Sequence, residues 1–158
     1  MKFSPHQVRS ILDIKEQTLR YWKQAYPQLV NLRGYGPCYS FGEVLVLLVT
    51  KKLVEQLGVD IKNMQPMAKV LFSMCSAPVS LLRDTNKVVC IDVESMTVNL
   101  LSAGEVPVTS ITLIVSLHEL AQDLQNRILR CLGEDESLQL DLALGPTALV
   151  QSKERKKA

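Results

Sequence analysis

The chain predicts an α+β fold, mainly helical, in which a helix-turn-helix and a short hairpin come first and a small αβ module ending in a long amphipathic helix follows. Three observations carry this prediction. Capping-box sequences stand at Ser4-Pro5-His6-Gln7, Ser40-Phe41-Gly42-Glu43 and Ser116-Leu117-His118-Glu119, and apolar residues recur at helical spacing after each. Glycines at 34 and 36 lie between the first two boxes and supply a turn. Beyond Ala77 short β-branched runs replace the helical pattern. With 158 residues, 47% of them apolar, the chain can fill a core without disulfides, and its texture divides it into 1–77, 78–133 and 134–158.

Ser4 opens the first helix, with Pro5 in its first turn and Val8, Ile11 and Leu12 as its apolar set. Asp13-Ile14 is the turn, because aspartate tolerates a left-handed backbone better than most residues. A second helix covers Lys15 to about Gln24. Leu19 and Trp22 fall on one side of it, Gln17, Arg20, Tyr21 and Gln24 project from the other, and Lys15 and Lys23 stand at its ends. Long polar side chains on an exposed helix face are suited to phosphates and base edges. Pro27 is expected to stop the helix, and a short hairpin runs from Leu29 to Tyr39. Ser40 opens a third helix on Val44, Leu47, Leu48, Leu53, Val54 and Leu57, closed by Gly58 as a left-handed cap, with Lys51 and Lys52 expected on its solvent face. From Asp60 another helix runs toward Ala77, and Pro66 requires it either to begin near Gln65 or to kink there.

In the second half, Val79–Leu82 and Val88–Val93 read as strands joined by a turn at Arg83-Asp84-Thr85-Asn86-Lys87, Glu94–Ala103 as a short helix, and Ser110–Val115 as a third strand. The last helix opens at Ser116 and stops at Gly133. Leu117, Leu120, Ala121, Leu124, Ile128 and Cys131 form its apolar stripe, which suits either the chain's own sheet or a second subunit. From Glu134 onward the chain is acidic, then loosely apolar, then basic, and is expected to be a flexible tail.

Thr18-Leu19-Arg20-Tyr21-Trp22, then Gly34-Tyr35-Gly36-Pro37-Cys38-Tyr39-Ser40, then Leu53-Val54-Glu55-Gln56-Leu57-Gly58-Val59 occur in an order and spacing that resemble the winged-helix DNA-binding domain of the MerR family of bacterial transcription regulators. The resemblance covers Ser4 to about Ala77. It implies that the second helix enters the major groove of double-stranded DNA, with Thr18, Arg20 and Tyr21 matching the family's motif. Lys15, Gln17 and Lys23 join them from helix geometry. It also makes the hairpin a wing whose Arg33 and Tyr35 touch the sugar-phosphate backbone. It further implies a homodimer, with Leu117, Leu120, Ala121, Leu124, Ile128 and Cys131 as the dimer contact, and RNA polymerase at promoters as a further partner. Two departures stand out. Pro37 occupies the place where the family usually carries an arginine, so one phosphate contact is missing. A small αβ segment also separates the winged domain from the helix that would dimerise.

Charge distribution agrees with a polyanion at the head of the chain. Residues 1–63 hold nine Lys/Arg against five acids, residues 64–152 hold five against ten, and the last six residues are basic again. Cys38, Cys75, Cys90 and Cys131 lack CxxC spacing and read as reduced, structural thiols. No secretory leader and no run long enough to span a bilayer is present, so the expectation is a cytoplasmic, nucleoid-associated protein without membrane contact. His6 and His118 have no metal-ligand spacing, and neither a phosphate loop nor a nucleophile motif occurs. No enzyme, metal or cofactor is therefore predicted. The leading expectation is a sequence-specific, homodimeric transcriptional regulator. The alternatives are a DNA architectural, segregation or recombination-accessory protein, and a protein-interaction adaptor built on the same fold.

Overall fold

The structure is a computed structural model and describes residues 1–32, 34, 36–77, 82–92, 94–95, 97–105 and 111–132. Two serines fix the beginnings of two N-terminal helices. Ser4 opens α1 (Pro5–Leu12) and Ser40 opens α4 (Phe41–Leu57), each accepting from the backbone N–H three residues on, while Gln7 and Glu43 reach back to the serine N–H groups. Asp13 ends α1 at φ 50°, and its left-handed turn leads through Ile14 into α2 (Glu16–Ala25). Gly58 closes α4 at φ 64°. Asp60 caps a short 3-10 turn over Ile61–Met64, and α5 (Gln65–Cys75) then starts with Pro66 in its first turn, so the proline begins this helix instead of kinking it.

The same proline logic corrects one expectation. Pro27 does not merely stop α2; it opens α3 (Pro27–Val30), because a proline at the first helical position loses no hydrogen bond. The hairpin expected over Leu29–Tyr39 also differs among the described residues. Tyr39–Ser40 (β2) pairs antiparallel with Lys2–Phe3 (β1), and Cys38 N–H donates to the Phe3 carbonyl, so the N-terminus clamps the segment that precedes α4.

In the second half β3 (Lys87–Asp92) is the centre of an antiparallel sheet, flanked by β4 (Thr97–Ser102) and β5 (Thr112–Ser116). The short helix expected over Glu94–Ala103 is therefore mostly strand. Asp92 accepts from the Glu94 and Ser95 N–H groups, a local turn that folds the chain back and lets Val98 meet Ile91. Of the strand expected over Val79–Leu82, residues 79–81 lie outside the described residues. Lys87 belongs to β3 and not to a turn.

The core is continuous across both halves. Val44 through Thr50 of α4 are all buried, so this helix is surrounded instead of half-exposed. Thr50 is satisfied there: its hydroxyl donates to the Val46 carbonyl and lies 2.8 Å from the buried Tyr26 hydroxyl. The final helix, α6 (Leu117–Leu132), lies against α1, α4 and β3. Leu117, Leu120, Ala121, Leu124 and Ile128 are buried in the same apolar cluster as Val8, Ile11 and Leu12. This corrects the expectation of a dimer seam, because the stripe is spent inside the chain. Cys131, at the end of that stripe, is exposed. Residues 133–158, including the expected stop at Gly133 and the expected tail, lie outside the described residues. The architecture is thus mixed α and β, mainly helical. Among the described residues no helix is long and apolar enough to cross a membrane.

Candidate nucleic-acid interface

Three side chains anchor α2 and leave the rest of it outside. Leu19, Trp22 and Ala25 are buried, whereas Lys15, Gln17, Arg20, Tyr21 and Gln24 are exposed. Tyr21 keeps 45% of its surface in solvent, much for a large aromatic ring. The helix has no side-chain N-cap, since Lys15 offers none, in contrast to the closed boxes of α1 and α4. Thr18 is half-buried at the edge of the anchor.

Not every expected contact residue projects. Lys23 is half-buried, and its ammonium donates to the Leu32 carbonyl, tying the end of α2 to the segment after α3. It is thus engaged within the chain. Arg33 and Tyr35 lie outside the described residues. Gly34 between them has φ 102°, a backbone that glycine adopts without strain, and Gly36 and Pro37 are exposed.

Three further residues shape this region that sequence reasoning did not place there. Glu16 Oε2 lies 2.9 Å from Arg9 Nη1, and Glu16 Oε1 lies 3.2 Å from Arg20 Nη2, so one carboxylate links α1 to the exposed face of α2. The Glu16–Arg20 pair is a helical i,i+4 spacing readable in the sequence. The Arg9 contact crosses the turn and depends on the angle Asp13 sets. Lys51, expected on the solvent face of α4, instead donates to the Leu12 and Asp13 carbonyls at 2.6 and 3.1 Å. It caps α1 from another helix, and at 14% side-chain exposure it is largely withdrawn from solvent. Lys52 likewise faces Asp123 of α6 at 3.5 Å.

Burial pushes the Cys75 thiol up to about 12, which leaves it a protonated core residue at neutral pH. His118 Nδ1 sits 3.1 Å from the Leu82 carbonyl, and His6 is exposed on α1. Among the described residues no three His, Cys, Asp or Glu side chains converge as a metal group. A separate groove of about 250 Å³ between α4, β5 and α6 is lined by Leu53, Leu57, Leu113 and Val115, with Lys52 and Glu119 at its polar side. Comparison with protein-family models, with curated proteins and with solved structures found no match.

Proposed function

We propose that the chain is a sequence-specific double-stranded-DNA-binding regulator of transcription, acting as a homodimer. In this reading α1 and α2 form the helix-turn-helix of a MerR-like winged domain, and the segment through Gly34 and Gly36 is its wing. The observation that carries the reading is the outer face of α2. Arg20, Gln17, Tyr21 and Gln24 stand exposed on a helix whose opposite face is locked by Leu19, Trp22 and Ala25. Rigid presentation matters because base-edge contacts need fixed side-chain origins. The basic excess of residues 1–63 supports it, since phosphate neutralisation supplies most non-specific affinity. A homodimer must use a surface other than the α6 stripe.

Selection of bound fragments from a random duplex pool, at near-physiological salt, tests this. Recovery of an inverted repeat is the expected result. Binding without a motif would replace it with an architectural role. No binding by folded protein would move the function to an adaptor. The adaptor has one observation of its own: the groove beside β5, where Ile114 of the sheet is 57% exposed.

A further inference from the structure

Glu16 is the residue that phosphate binding does not explain. It begins α2, its side chain is 63% exposed, and its carboxylate holds Arg9 from α1 and Arg20 from one turn further along α2. Exposed ion pairs add little to stability. The junction it spans is already fixed by the Asp13 turn and Lys51. Folding therefore has small need of it, and as an acid in the first turn it has only a modest favourable effect on the helix.

Its effect on a polyanion is larger. A phosphate approaching Arg20 competes with a carboxylate already in place. Once displaced, that carboxylate stays within a Debye length, about 8 Å at physiological salt, of the incoming backbone. Each contact made to phosphate alone is thereby penalised. The penalty is relieved where a base pair offers a hydrogen-bond donor, and the major-groove donor that carboxylates accept best is the cytosine amino group. Arg20, one turn away, carries the side chain best suited to guanine.

We propose that Glu16 is the discrimination residue of this face. It disfavours non-specific contact and is compensated at a cytosine presented beside the base that Arg20 reads. The proposal rests on the DNA-binding reading above and assigns a base preference within it.

The test compares wild type, Glu16→Gln and a charge control on α6, Glu119→Gln, across a salt series. Each is measured on the duplex selected by wild type and on random-sequence duplex. Glu16→Gln keeps the size while removing the charge and turning one acceptor oxygen into an amide donor. Expected is random-duplex binding about tenfold tighter at low salt, with a salt slope steeper by about one. The ratio of selected to random affinity is expected to fall, with enrichment of one cytosine lost on reselection, while Glu119→Gln behaves as wild type. A merely structural Glu16 would shift melting and leave that ratio alone. An unchanged ratio overturns the proposal and leaves the DNA reading standing. A wild-type protein that binds no duplex at low salt overturns both.

Discussion

Arg20 and Tyr21 stand in solvent because Leu19, Trp22 and Ala25 do not. Three buried contacts in ten residues fix the rotation of α2, and what remains outside is decided by helical spacing alone. If Arg20 reads a base, Arg20→Ala weakens binding to a selected duplex by about 1–3 kcal/mol, measured by titration at fixed salt. A loss that is equal on every sequence would make it a phosphate contact instead. Gly42 is the opposite kind of residue, fixed by what surrounds it. A Cβ placed there would lie 2.7 Å from the Cys75 carbonyl oxygen and 3.0 Å from Ser76 Cα, both backbone atoms that cannot swing away. Gly42→Ala gains at most about 1 kcal/mol of helix propensity. Against that, overpacking costs about 1–3 kcal/mol. The expected outcome is net destabilisation in a denaturant titration, and a stabilised variant would mean that α4 and α5 are not held this close.

At the scale of elements, local chemistry was legible and tertiary chemistry was not. The Ser4 and Ser40 boxes, the left-handed Asp13 and the Gly58 cap are each written within a few residues, so the starts and ends of α1 and α4 could be read directly. β4 was not, because Thr97–Ser102 alternates too weakly to declare itself without β3 beside it. Lys51 shows the same limit. On a helical wheel it is one more surface lysine, yet the carbonyls it binds belong to residues 38 and 39 positions away. Charged hydrogen bonds to orphan carbonyls at a helix C-terminus carry more than an exposed ion pair. Lys51→Met is therefore expected to cost about 1–2 kcal/mol in thermal or denaturant unfolding, and Lys52→Met, which faces only the half-exposed Asp123, well under 1 kcal/mol. Equal effects of the two substitutions would contradict the cap.

Across the whole molecule, the question is what the α6 stripe holds together. Its heptad-like spacing is readable at Leu117, Leu120, Ala121, Leu124 and Ile128, but spacing cannot say whose surface it meets. A stripe this short serves a neighbouring helix of its own chain as well as a second copy. The structure places it on α1 and α4, whose buried residues share one cluster with Leu19, Trp22 and Ala25 of α2. The C-terminal half thus shares one core with the proposed DNA-binding face. Leu124 is wholly buried in that core, and Leu124→Ala should cost about 2–5 kcal/mol, the range for large-to-small core substitutions. That is a large part of the roughly 5–15 kcal/mol that holds a domain folded. Because α6 touches α1 and α4 directly, the loss should reach the N-terminal helices. Trp22 fluorescence and far-UV circular dichroism are expected to report one coincident transition, at lower denaturant than in wild type. If the stripe were instead a subunit contact, Trp22 in the N-terminal helices would unfold independently of α6, and the two probes would give separate transitions.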